Sequence, residues 1–293
     1  MESFVPPETT PNIWADDDAV DDGDDGNEPA RKGIRPQSAK SKGRRLQQWA
    51  AVRFKEAFPH LQGNDVRSLS MGASGDDLIL STAALQVLPY NFEMKNVESF
   101  QQWATLRQVN KRRDTAATLP CMVVKRNRVD PVAIIPFGHF LHLLRLECTP
   151  VQAQTPPPPP VPEMTSARDL LTAFDLTGAA PAQCLHMALR TGLQFALPDP
   201  QAVSDAQPGI LHVAGRWTAY ARATERFNFW KEWDALVLRH KPKRAKKTAP
   251  VPPPVHPLLI FNRGDMDACI FAALSFDAFL SLLLARWSHF APP

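Results

Sequence analysis

The chain lacks any uninterrupted apolar stretch near the ~20 residues that a bilayer-crossing helix requires, and its N-terminus lacks the basic start and apolar run of a secretory signal. Neither a membrane partner nor secretion is expected. The predicted location is intracellular, either cytoplasmic or nucleoid-associated, and nuclear if the host is eukaryotic. Cysteine is scarce: Cys121, Cys148, Cys184 and Cys269 stand alone, without CxxC pairs or His at ligand spacing. They argue against structural zinc and read as core thiols in a reducing compartment. The first thirty residues hold ten acids and no Lys or Arg, so the remainder carries all 33 bases against 20 acids beneath a net charge of only +3. Such a basic body suits a phosphate-backbone partner. The acidic stretch either competes with nucleic acid for that surface or is a solvated arm.

Residues 1–42 carry an acidic run, then Gly, Pro, Ser and Lys with no apolar period, and are predicted to form a disordered tail. Hydrophobic periodicity over 43–148 marks a first domain. Five consecutive prolines within 149–165 make a stiff linker that joins neither helix nor sheet. A second apolar-rich domain fills 166–293, interrupted by a basic and proline-rich loop at 241–255. With 293 residues, 44% of them hydrophobic, two domains can each bury a core.

Within the first segment Leu46, Trp49, Val52, Phe54 and Phe58 recur at near-helical spacing up to Pro59. Residues 66–70, 77–81 and 90–97 read as strands. Residues 98–113 read as a helix with Phe100, Trp103, Leu106 and Val109 on one face, followed by buried strands at 120–125 and 132–135. His139 and His142, set among Phe137, Phe140, Leu141 and Leu143, read as helix residues rather than ligands. The order helix, three strands, helix, strand predicts a mixed α/β sheet flanked by helices.

Asp77 opens one of these strands, and Glu93 and Lys95 lie two apart in the next, so strand alternation points both toward one face. An antiparallel neighbour would bring Asp77 beside them. Two carboxylates, with the backbone carbonyl of Met94 as a further ligand, suit Mg²⁺ and leave positions for water and a phosphate oxygen. A lysine alongside can orient the water and offset charge building on the phosphate. Asp76 is the alternative ligand; Asp77 is preferred because it abuts the apolar strand. Glu and Lys at this spacing also decorate solvated strand faces, which is the plainer reading of the pair.

Residues 75–80 (GDDLIL) and 88–96 (LPYNFEMKN), followed by Trp103 and Gln108, resemble the PD-(D/E)XK nucleases, and among them the small phage-type and Holliday-junction-resolvase-like members. The resemblance spans 43 to about 146, roughly a third of the chain. It implies an αβββαβ core and a Mg²⁺-dependent endodeoxyribonuclease, with Mn²⁺ able to substitute, that hydrolyses phosphodiester bonds in DNA, branched or junction DNA included. It further implies Asp77, Glu93 and Lys95 as the catalytic set, Gln108 as a polar residue facing the site from the following helix, and Glu56 as a further acid on the first helix. The rival is a catalytically silent DNA-binding or virion assembly protein that retains the fold. Arg44, Arg45, Arg67, Lys111, Arg112, Arg113, Lys125, Arg126 and Arg128 fall at element ends, where they flank a groove and bind phosphates or are simply solvated. Trp49 and Trp103 read as core rather than as base-stacking platforms.

Residues 120–126 (PCMVVKR), the apolar strand after Asp130 and residues 140–144 (FLHLL) have counterparts in 257–263 (PLLIFNR), the strand after Asp267 and 279–283 (FLSLL). Glu98, Phe100 and Trp103 match Glu225, Phe227 and Trp230. The opening helices end alike, at 57–59 (AFP) and 196–198 (ALP). These matches predict a tandem duplication, hence a homodimer or an intrachain pseudo-dimer; coincidence between two strand-then-helix units is the alternative. In this alignment Glu93 falls on Tyr220, Lys95 on Arg222 and Asp77 near Gly209, so the second copy is degenerate. The basic run at 241–247 is a phosphate-gripping loop, a nuclear import signal or a solubilising insert.

Overall fold

The computed structural model describes residues 36–69, 75–113, 118–149, 166–173, 181–207, 210–224, 226–240, 255–263 and 269–290. The proline-rich linker, the 241–247 basic run, Gly209 and Glu225 lie outside them, as does most of the acidic tail. The first helix, α1 (Pro36–Ala57), begins within the stretch expected to be tail. Proline's fixed φ suits the first helical position, and the residues after it lack a breaker strong enough to delay the helix. Leu46, Ala50 and Phe54, four apart, are its fully buried stripe, whereas Val52 is 47% exposed and does not belong to the apolar face read from spacing.

The chain continues through β1 (Val66–Ser68), β2 (Leu78–Leu80), α2 (Thr82–Val87), β3 (Tyr90–Asn96), α3 (Gln102–Arg113), β4 (Leu119–Arg126), β5 (Val129–Pro136) and α4 (Phe137–Cys148). After the linker come α5 (Ala167–Ala173), α6 (Pro181–Ala196), β6 (Val203–Gln207), β7 (Ile210–Val213), β8 (Trp217–Ala223), α7 (Phe229–His240), β9 (His256–Asn262), β10 (Phe271–Ser275) and α8 (Phe276–Phe290). The helix expected from residue 98 starts at Gln102, because residues 98–99 form a bend and 100–101 are irregular.

Eight strands form one mixed sheet in the order β3, β4, β5, β10, β9, β8, β7, β6, with helices on both faces. The pairs β3 with β4 and β8 with β9 are parallel, each linked through a covering helix, α3 or α7; the remaining neighbours are antiparallel. The central strands are buried on both faces, which is why 120–125 and 132–135 read as continuous apolar runs rather than as alternation. One face packs on α1, α4, α6 and α8 through Phe54, Phe92, Phe140, Leu193 and Phe279. The other packs on α3 and α7 through Phe100, Leu106, Phe229, Trp233 and Phe261.

The two segments expected to be separate domains therefore share one sheet and both cores. They meet where β5 pairs with β10, in a register that matches Ile134 with Ala273, Ile135 with Ala272 and Ala133 with Leu274. Helices α4 and α8 follow β5 and β10 without an intervening loop, and the Phe137 amide donates across the seam to the Ile270 carbonyl at 2.9 Å. A long linker joins segments that dock edge to edge, because the unpaired edges of β5 and β10 satisfy each other.

The β1–β2 hairpin departs from the expected three-stranded run. It forms its own two-stranded sheet, with Val66 opposite Leu80, rather than extending the ladder beyond β3. Helix α2 intervenes between β2 and β3, whereas β7 reaches β8 through a tight turn at Ala214 and Gly215, both at positive φ. Among the described residues no helix is long and apolar enough to cross a membrane.

Candidate active site

Tyr90, Phe92 and Met94 of β3 point into the α1-side core, so alternation turns Asn91, Glu93 and Lys95 to the face covered by α3. Glu93 is only 3% exposed. Its Oε1 lies 2.5 Å from Lys95 Nζ, and the Lys95 side chain keeps a third of its surface open to solvent. Strand β3 ends the eight-stranded sheet, leaving its outer edge without a ladder partner.

Asp77, the residue before β2, occupies that edge. Its amide donates to the Phe92 carbonyl at 2.9 Å, and its Oδ2 accepts the Met94 amide at 2.6 Å, so the two bonds flank Glu93. The amide and carbonyl of one strand residue face the same edge, which puts the Met94 carbonyl on the side of Asp77. Asp77 Oδ1 accepts Gln47 Nε2 from α1 at 2.8 Å. Sequence reading missed Gln47, since a single glutamine on a helix carries no motif; its one signal is adjacency to the buried Leu46. Nearby, Ser81 and the Gln62 amide donate to Asp65, and these bonds hold its carboxyl below the usual range. Asp65 thereby anchors the hairpin that carries Asp77.

The other named residues divide by position. Asp76 is half-buried beside Asp77, and Gln108 is exposed on α3, the helix over the Glu93 face. Glu56 does not join the site expected for it. Its Oε2 pairs with Arg53 at 3.1 Å, and Arg53 also reaches Asp277 of α8 at 2.9 Å, so Glu56 belongs to the seam between α1 and α8. Its place on α1, nine residues beyond Gln47, takes it along the helix away from Asp77.

The basic residues do not form one uniform groove. Arg44 is exposed and Arg45 half-buried on α1, and Arg67 is exposed on β1. Lys125 is 4% exposed, with Nζ 3.3 Å from the Arg126 carbonyl, which makes it an interior residue rather than a surface phosphate contact. Arg126 is held by Asp234 at 2.5 Å and lies over the Trp230 ring at 5.1 Å. Arg128 is exposed at positive φ in the turn between β4 and β5. Lys111, Arg112 and Arg113 lie in the last turn of α3, and their side chains fall outside the described residues. His139 is buried and bonds the Tyr90 hydroxyl at 2.8 Å, while Trp49 packs on Phe276 and Trp103 on Phe227 and Phe261. Cys121 is buried, and Cys148 and Cys269 are partly so. Burial pushes the Cys121 thiol well up and that of Cys148 to about 11, which keeps both protonated and inert.

Among the described residues no group of three or more His, Cys, Asp and Glu gathers at ion-binding distance. A hard divalent cation needs fewer: one or two carboxylates, backbone oxygen, water and substrate phosphate complete an octahedral shell. Asp77, Glu93 and the Met94 carbonyl offer only oxygen donors, the type such a cation takes. The second half also has a parallel strand pair, with other side chains. Tyr220 pairs with Leu259 and Arg222 with Phe261 across parallel strands, as Glu93 pairs with Met122 and Lys95 with Val124. Comparison of the chain with family models, curated proteins and solved structures finds no match.

Proposed function

We propose that the chain is a metal-dependent DNA endonuclease of the PD-(D/E)XK type, built from two copies of one fold of which the first cuts. The observation that carries this reading is the bracket around Glu93: Asp77 bonds to Phe92 and Met94 on the open edge of β3, beside a buried Glu93 paired with Lys95. Duplication is supported by the order helix, three strands, helix, two strands, helix that the halves share once α2 in the first and α5 in the second are set aside, and by the β5–β10 pairing. Counted back from the helices that follow, α4 and α8, Ile134 and Ala273 are counterparts, and they pair with each other, as at the axis of an isologous interface.

Asp77, Glu93 and the Met94 carbonyl would hold Mg²⁺ or Mn²⁺, which when bound polarises the phosphodiester and acidifies water. Gln47 fixes the rotation of the Asp77 carboxylate from α1. Lys95 reaches solvent from the paired strand position and can hold the attacking water while offsetting charge that builds on the phosphate. Gln108, exposed on α3, would meet the substrate from the helix that covers this face. Because Tyr220 and Arg222 replace the acid and lysine in the second half, one monomer has one cutting centre, and the second half serves to grip the substrate.

A silent DNA-binding or assembly role is the second reading. The close Glu93–Lys95 pair and the two donors already on Asp77 favour it, since they satisfy these charges without metal. Cleavage of supercoiled plasmid and of a four-way junction, with Mg²⁺ or chelator, separates the two. Metal-dependent nicking lost in Glu93→Ala is the expected result; a folded, DNA-binding wild type that cuts neither substrate establishes the silent role instead.

A further inference from the structure

Where β8 and α7 take the place of β3 and α3, the second half encloses a cavity of about 250 Å³ lined by Tyr220, Arg222, Lys231, Glu232, Leu236 and Arg239. Tyr220 and Arg222 occupy the pairing positions that Glu93 and Lys95 hold in the first half, so the acid is lost there and the positive charge is kept. Three cationic side chains face one carboxylate. That carboxylate, Glu232, is spent on Arg222, whose Nε and Nη2 both lie 2.9 Å from its Oε2. The Tyr220 ring carries Arg222 at 4.4 Å and Arg239 at 5.7 Å from its centroid. Cation–π attraction and the Glu232 bonds restrict the two guanidinium groups, so less side-chain entropy is lost when they close on a ligand.

A site with this sign cannot hold a cation, but it fits the anion that a metal site would otherwise bind through its metal. The Arg239 fork and the Nη1 side that Glu232 leaves on Arg222 match phosphate oxygens, with the exposed Lys231 adding a point charge. We propose that this cavity is a phosphodiester-binding site that holds a DNA backbone away from the cutting centre, in register with it across the shared sheet. The proposal rests on the nucleic-acid reading of the chain and deepens it.

The test uses the full chain carrying Glu93→Ala, so that no cutting intervenes, with fluorescein-labelled duplex DNA in chelator across a salt series. Adding Arg222→Ala and Arg239→Ala together should weaken binding roughly 10- to 100-fold and lower the salt slope by about two. Arg239 is exposed on α7, so Arg239→Glu alone keeps the fold and should weaken binding in the same direction. Unchanged affinity and salt slope in both variants would overturn the proposal. So would displacement of the duplex by inorganic phosphate or a mononucleotide at concentrations too low to act by ionic strength, which would assign the cavity to a free ligand. Arginine-dependent binding in a chain whose wild type never cuts would sink the nuclease reading alone; normal metal-dependent cutting with arginine-independent binding would sink this one alone.

Discussion

Gln47 holds the Asp77 carboxylate from α1, while the Met94 amide holds its other oxygen. Outer partners of this kind orient a ligand without touching the substrate, and losing one commonly costs 10- to 100-fold in metal affinity or activity, roughly the drop expected here for Gln47→Ala. Asp77 keeps one donor and access to water, so stability should fall by no more than about 1 kcal/mol. Nicking rates and a denaturant titration on the same preparation check both halves of this expectation. Full activity in Gln47→Ala would mean that Asp77 needs no orientation from the helix. The shared strand face of Glu93 and Lys95 was legible in sequence because strand alternation is strictly periodic, whereas the Gln47–Asp77 bond was not, because its partners lie thirty residues apart across a fold contact. Glu56 came from the resemblance alone, which supplies a helix position but no direction, and its carboxylate pairs with Arg53 instead.

At the scale of elements, β9 joins the sheet beside β8 and begins at His256, whose amide donates to the Arg216 carbonyl at 2.7 Å and whose ring packs on Trp217. Burial first, and then the positive charge of Arg216, hold the imidazole below its ordinary 6.5, with Asp277 acting in the other direction. The folded chain thus takes up this proton less readily than the unfolded chain. The stability His256 provides is complete above 6.5 and declines as pH falls from 6.5 through the lower folded value. The denaturation midpoint of the wild type should drop over that window more than that of His256→Gln; parallel profiles would show that the ring is not held neutral. Element identities were largely readable. Continuous apolar runs identified β4 and β5, and aromatic spacing identified α3. Helix α2 was not foreseen, since six residues carry too few helical periods to register; β1 and β2 were both read as strands, and that they pair apart from the main sheet depends on which edges meet, not on periodicity.

For the whole molecule, the decisive feature is the β5–β10 seam. Ile134, Ile135, Phe137, Phe140, Leu274, Phe276 and Phe279 are each at most 1% exposed in the core that both halves share. At about 1.5–3 kcal/mol for each large apolar side chain, uncovering even part of this set costs on the order of 10 kcal/mol, comparable with the whole stability of an ordinary domain. The chain should therefore unfold in one cooperative transition, with calorimetric and van't Hoff enthalpies in agreement. Two resolved transitions, or a stably folded isolated 36–149 fragment, would contradict the shared core. If the first half cuts as proposed, its Asp77 and Glu93 have no acidic counterparts at the aligned positions of the second half, and nicked circles should appear ahead of linear plasmid; simultaneous cutting of both strands by a proven monomer would refute a single centre.

Sequence alone determined the α/β class, the spans of most long elements, the pairing of Glu93 with Lys95 on one strand face, and the likeness of the two segments. Each depends on local periodicity or on residue identity, which the linear chain carries in full. Only the tertiary structure decided that the segments are halves of one sheet, that Gln47 rather than Glu56 serves Asp77, that Lys125 and Arg126 are engaged internally, and that Tyr220 and Arg222 line a cationic cavity. These outcomes turn on which edges and faces meet. A sheet edge is satisfied by whichever partner the rest of the packing brings to it, and no periodicity in the chain specifies that partner.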